Sequence, residues 1–451
     1  SCSNYKQQPM ILTNMKKLVL IFGGLLLGIN LVNAQANISP APAQSKPVII
    51  TGATIHVGNG TVISNGYIAF DKGKITAVGA GAPASTAGAD VIDATGKQVY
   101  PGFICPITTL GLIEVEEGAR GTVDDAETGD LNPNARSIVA YNTDSKVIPT
   151  VRSNGILLAQ PTPDGGVISG QSSVVQLDAW NWEDAAYKTD MGVHLNWPVV
   201  RTEFRRRAAP AAGPQESPTE RAQKEIDALT SLFTQAKAYS EIEKPAVINQ
   251  RFEAMRGLFN GAKKLFVNAN GAREIVQAVD FGKKFGLSVV IVGGDDSYLV
   301  TDVLKDNNVP VILTETQRVP DYDEDDVYLP YKTPKMLQDA GVLYGLTGIG
   351  FWRQRNLPFE AGEAVGYGLT KEQALSMITF NNAKILGIDK TAGTLEVGKD
   401  AILFISKGDA LDMLGLDVQK AYIQGRDINL DNLHKQLYRK FAAKYGLKAD
   451  L

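Results

Sequence analysis

The sequence predicts an α/β protein in which a barrel or a doubly wound sheet is flanked by two short β-rich pieces. Three observations lead to this reading. Residues 47–100 break into short β-prone runs separated by Gly and Asn turns. From 101 to 390, apolar strand-like runs alternate with helical ones, the pattern that lays helices against a mostly parallel sheet. Short strands with glycine turns return at 393–405 and 418–428, and two separated β pieces around one α/β block are expected to pair into a single satellite domain.

The elements follow in chain order. Met15, Lys16 and Lys17 open a positive stretch, residues 18–27 form a short apolar run, and Val32 and Ala34 supply small residues before a cleavage expected after Ala34. These are the parts of an export signal, so a periplasmic or secreted location is expected. The residues before Met15, Cys2 among them, read as sequence upstream of the start. A flexible lead-in rich in Ala, Pro, Gln and Ser occupies 35–46. Strands are expected at 48–51, 54–57, 67–71, 74–78 and 91–93, then at 155–160, 265–268, 288–292, 309–314 and 342–346. Helices are expected at 219–240 and 271–285, exposed loops at 205–218 and 321–326, and a final amphipathic helix at 430–445.

Composition narrows the classes. A chain of 451 residues with 44% hydrophobic and 21% charged side chains suits one large domain with a smaller one and excludes disorder. Lys and Arg number 45 against 49 Asp and Glu, for a net charge of -4, and no basic stripe stands out, so nucleic acid is not an expected partner. No run beyond residue 34 reaches the roughly 18 to 20 apolar residues of a membrane span. Three His and two Cys are too few for a zinc site of the His- and Cys-rich kind.

A resemblance then sharpens the fold. Gly52-Ala53-Thr54-Ile55-His56, Gly73-Lys74-Ile75-Thr76-Ala77-Val78-Gly79, Asp93-Ala94-Thr95-Gly96-Lys97 and Tyr100-Pro101-Gly102-Phe103-Ile104 open the pattern. Asn382-Ala383-Lys384-Ile385-Leu386-Gly387 and Gly393-Thr394-Leu395-Glu396-Val397-Gly398-Lys399-Asp400 close it. Together they resemble the amidohydrolase superfamily near its imidazolonepropionase-like members. The resemblance implies a TIM-type (β/α)8 barrel over 101–390, with its site at the strand C-termini. It also implies a small β-sandwich domain from 47–100 plus 391–428, leaving 429–451 as a C-terminal helix.

The same resemblance implies a divalent metal that activates water, and here the sequence departs from it. Ile107 and Thr109 stand where a His-x-His pair belongs after Pro101-Gly102-Phe103. Asn268, with Asn270 nearby, aligns with one ligand strand, Gly293 with the next, and Gly348 with the catalytic aspartate. No catalytic residue, no metal ligand and no cofactor are therefore expected, and zinc only through a non-standard set of donors. If the fold has merely lost its donors, Ile107→His, Thr109→His, Asn268→His, Gly293→His and Gly348→Asp together are expected to restore metal uptake.

Each remaining residue at the expected barrel mouth has two readings. Cys105 is a nucleophile if a base such as His194 reaches it, and otherwise a packed thiol. His56 and His434 fall far from the barrel mouth along the chain and read as structural. Asp295 and Asp296 form the best remaining acidic pair, yet neighbours on a strand end point to opposite faces. Trp180, Trp182 and Trp197 line a pocket or fill core, and Arg353, Arg355 and Glu360 hold an anion or form a surface or structural ion pair; if restored donors bind no metal, side chains such as Trp352 are expected to have refilled the mouth. The glycines of 165–171 lack the Lys of a phosphate loop and read as a strand connection.

The expected function is an exported amidohydrolase-family protein degenerate at its metal site, binding a small molecule, or pairing with itself or with an active homologue. Two alternatives stay open: hydrolysis of non-peptide C–N bonds by a non-standard mechanism, and a peptide- or carbohydrate-binding module.

Overall fold

The computed structural model describes residues 39–116, 119–199, 217–320 and 324–448. The export signal and most of the loop expected at 205–218 lie outside the described residues. Contacts divide the chain into Ser1–Ser39 and Pro40–Leu451, and the second unit is described here.

Five strands come first: β1 (Val48–His56), β2 (Val62–Asp71), β3 (Lys74–Ala80), β4 (Asp90–Asp93) and β5 (Gln98–Pro101). Eight more are β6 (Phe103–Thr108), β7 (Ile156–Pro161), β8 (Ile168–Gln176), β9 (Ala186–Asn196), β10 (Lys264–Ala269), β11 (Val289–Gly293), β12 (Val311–Thr314) and β13 (Tyr344–Thr347). The last are β14 (Leu403–Ser406), β15 (Val418–Ile423) and β16 (Arg426–Asp427).

The N- and C-terminal pieces share one sheet of order β16-β15-β14-β5-β1-β2-β3, with β4 added on β1. They meet where β14 runs antiparallel to β5, pairing Leu403 with Pro101 and Ile405 with Val99. Period-2 alternation buries Ile68 and Phe70 of β2 against Ile50, Ile55, Val99, Leu403 and Tyr422. The two strands expected at 48–51 and 54–57 are one strand. Gly52 at φ +75° absorbs the irregularity as a bulge instead of a break. Gly102, in the Pro-Gly-Phe motif, is where this sheet passes into the barrel: a Cβ there would sit 2.8 Å from the side chains of Ile402 and Leu157.

The barrel sheet runs β13 through β6 in unbroken order. It departs from eight parallel strands at one place, since β8 is antiparallel to both β7 and β9. Only residues 162–167 connect β7 to β8, too few for the crossover a parallel neighbour requires, so a hairpin forms on Gly165 and Gly166. Between the later strands lie helices that bury one face. Helix Ala272–Phe285 buries Ile275, Ala278, Val279 and Phe285, and ends at Gly286 in the left-handed conformation. Helix Pro218–Ser240 starts at a capping box of Ser217 and Glu220.

No strand ladder joins β13 to β6, and side chains close that seam. Asn382, on helix Phe380–Leu386, donates from Nδ2 to Ile104 O (2.9 Å) and to Leu346 O (3.0 Å). Barrel and sheet are tied together by a buried ion cluster. Asp178, just after β8, accepts from Arg152 Nη1 (2.7 Å) and from Arg426 Nη1 of β16 (2.9 Å). Among the described residues no helix is long and apolar enough to cross a membrane.

Candidate functional site

In an α/β barrel the site forms where the strands end at their C-termini. Here β6 and β13, at the seam, bring Cys105, Ile107, Thr109, Thr347 and Gly348 together. A residue absent from the sequence reading sits at their centre. Gln354, in the short turn Arg353–Asn356, is fully buried. Its Nε2 donates to Gly348 O (2.9 Å) and Gly350 O (2.9 Å) and lies 3.3 Å from Ile107 O. Its Oε1 accepts from Cys105 Sγ (2.7 Å) and from Gly348 N (3.3 Å). Thr347 Oγ1 donates to Ile107 O (2.6 Å), so one carbonyl of β6 is claimed from β13 across the seam. The signal that could have found Gln354 is a single neutral amide between Arg353 and Arg355, on the turn after Gly348.

Cys105 is therefore a packed thiol. Burial pushes its pKa up to about 12, and hydrogen bonds to Thr347 and Ile107 only partly offset this. No histidine reaches it. His194 bonds Ser172 Oγ (2.7 Å), stacks on Phe266, and is pushed down to about 3 by burial, which keeps it neutral. His56 lies in the satellite sheet, bonded to Glu372 Oε1 (2.6 Å) and Gln98 Oε1 (2.7 Å). Burial pulls its pKa down, but these bonds and the Glu372 charge outweigh it and leave it raised.

Of the other expected mouth positions, Asn268 is exposed and donates to Asn196 Oδ1 (2.6 Å). Gly293 has φ +92°, and a Cβ there would collide with Asn270 Oδ1. A Cβ on Gly348 would meet Gln354 Oε1 at 3.1 Å. Thr109 Oγ1 is buried without a hydrogen-bond partner. Asp295 pairs with Arg318, while Asp296 Oδ2 accepts from Ala272 N (3.1 Å) at the start of helix Ala272–Phe285. Trp352 does not refill the mouth. It is 37% exposed and stacks on His434 (5.9 Å), with the Arg355 guanidinium over its ring.

Two sequence groupings come apart. Trp180 and Trp182 precede β9 and Trp197 follows it, so eleven residues of strand, about 36 Å, separate them. Trp197 is core, edge-on to Phe281. Arg353 gives its guanidinium to Glu315 (3.0 Å to both oxygens) and Arg355 goes to Trp352, so no anion cradle forms.

The donors present do not fit a divalent metal. Ile107 has no lone pair to give, Gly293 and Gly348 have no side chain, and the central space holds Gln354. Among the described residues no three His, Cys, Asp or Glu converge as a metal-binding group.

Glu360 is the perturbed acid near the mouth. Burial pushes its pKa up to about 8, partly offset by the Thr316 N–H on Oε2 (3.0 Å) and reinforced by the Glu315 charge. The folded state keeps a proton that the unfolded chain releases above its ordinary 4.5, so this contribution to stability is lost as pH rises from 4.5 through about 8. In urea titrations across that window the wild-type midpoint should fall relative to that of Glu360→Gln. Parallel curves would show that Glu360 is ionised in the folded protein.

Comparison with known proteins agrees with this fold. Residues 353–429 match the amidohydrolase family model. Amidohydrolase tasK of Hapsidospora irregularis is 33% identical over 122 residues, 25% of this chain, and the match spans 12% of that protein's length. The crystal structure of an amidohydrolase from Thermotoga maritima MSB8 superposes with a TM-score of 0.71 at 22% identity, covering 85% of this chain and 99% of that one. Molinate hydrolase follows at 0.55 and 13%, covering 86% and 95%. A prolidase complexed with N-methylphosphonate-L-proline gives 0.54 and 15%, covering 85% and 99%. At these identities the structural likeness speaks for the fold.

Proposed function

We propose that the chain is an exported member of the amidohydrolase superfamily whose metal site has degenerated, serving as a non-catalytic partner of itself or of an active homologue. The supporting observation is Gln354. A buried amide that donates to two carbonyls and accepts from a thiol and an amide N–H stands where the family's chemistry would need open space. A site refilled in this way favours a partner role over a small-molecule pocket. The alternative of C–N hydrolysis by another mechanism finds no nucleophile in Cys105, which is held as a thiol, and would have to rest on the buried acid Glu360. The carbohydrate or peptide module loses its motive with the separation of the tryptophans.

Metal content tests the reading. After dialysis the purified protein should retain less than about a tenth of an equivalent of zinc, manganese or iron by mass spectrometry, because affinity follows the donor set. Close to one equivalent would overturn the degenerate site. Light scattering of the protein alone and mixed with an active homologue then tests pairing, and a strict monomer in both samples would overturn the partner role.

A further inference from the structure

We propose that the C-terminal helix Leu433–Lys444 is a docking element for an anionic lipid surface. Helices around the barrel turn their apolar faces inward, but this one is exposed over most of its surface, its large apolar side chains included. Leu433 (51%), Leu437 (39%), Phe441 (47%) and Tyr445 (67%) are exposed, and their i, i+4 spacing makes them one outward stripe. Ala442 is the one buried residue of the helix. Its placement is fixed from below. Buried Asn432 caps the helix by accepting from Lys435 N (2.9 Å) and donates to Ser153 Oγ (3.0 Å), and His434 stacks on Trp352.

Charge decides what covers the stripe. Residues 431–448 hold Lys435, Arg439, Lys440, Lys444 and Lys448 against a single acid, Asp431, which Arg439 already engages, in a chain whose net charge is -4. Lys440 lies three residues after Leu437 and Lys444 three after Phe441, so cations flank the stripe. The Lys440 and Lys444 ammoniums stand 6.0 Å and 5.3 Å from the rings of Phe441 and Tyr445. A second copy packed two-fold on this face would bring lysines against lysines. An anionic bilayer surface accepts both features: the apolar stripe enters the acyl boundary while the lysines reach headgroup phosphates. Helix geometry gives a contact about 18 Å long, enough for an interfacial anchor.

The test is flotation of the full chain with vesicles of phosphatidylcholine alone or with roughly a third phosphatidylglycerol. Because residues 18–27 form an apolar run of their own, the readout is the difference between wild type and variants that all retain it. Leu437→Asp/Phe441→Asp and Lys440→Glu/Lys444→Glu should each lower the fraction bound to anionic vesicles at least about tenfold. Their unfolding midpoints should stay at the wild-type value, since these side chains are exposed. Equal flotation of wild type and variants, or no preference for anionic vesicles, would overturn the proposal. So would a lipid-free dimer that Leu437→Asp/Phe441→Asp splits, because a second copy would then own the face.

Discussion

Asp178→Ala should cost about 3 to 5 kcal/mol of stability, read as a lowered urea midpoint at unchanged slope. Asp178 is 2% exposed and receives Arg152 on one oxygen and Arg426 on the other, with Ala41 N also donating to it (2.9 Å). Its removal leaves two guanidiniums, 5% and 15% exposed, without their counter-ion, and two buried positive charges then face each other. The cost is that of uncompensated burial and exceeds the net worth of the intact cluster. Arg152 belongs to the barrel and Arg426 to β16, so the variant should also loosen the sheet from the barrel. Proteolysis after the substitution is expected to begin near β16. Asp178→Asn, which keeps an acceptor but loses the charge, should fall between. A loss below about 1 kcal/mol for the alanine variant would mean that water replaces the carboxylate freely.

The fold was legible where one physical signal dominated. Strands β10 to β13 announce themselves as apolar runs separated by helical periodicity, and the pairing of the two β pieces followed from their shared pattern. Strands β8 and β9 escaped the reading. Ser169, Gln171, Ser172, Ser173 and Gln176 of β8 are buried, so a polar sequence sits in the core and carries no hydrophobic alternation to detect. The absence of donors at 107, 293 and 348 was legible because the side chains of Ile and Gly cannot ligate a metal wherever they point. The role of Gln354 was not, since it bonds the backbone carbonyls of Gly348 and Gly350 and the distant thiol of Cys105, and backbone acceptors leave no trace in side-chain spacing. The exposure of the last helix was hidden for a related reason: periodicity reports an apolar face without saying whether anything covers it.

The largest effect at the site itself is expected for the five donor replacements, and the result should be failure. Gly293→His forces a side chain into φ +92°, a region that L residues enter at a cost of about 1 to 3 kcal/mol, and drives its Cβ into Asn270 Oδ1. Gly348→Asp adds a carboxylate whose first carbon already lies 3.1 Å from Gln354 Oε1, pressing like partial charges together. The combined variant should lose on the order of 4 kcal/mol or more and take up no divalent metal. A second variant separates a wrong position from an obstructed one. Ile107→His, Thr109→His and Gly348→Asp with Gln354→Ala leaves Gly293 alone and empties the centre. Three donors then face a cleared space, as many as an open metal site requires. Calorimetric titration with zinc should show binding for this four-fold variant and none for the five-fold one. Stoichiometric binding by the five-fold variant at wild-type stability would mean that Gln354 gives way readily, and the mouth would then be a vacated metal site and not a rebuilt seam.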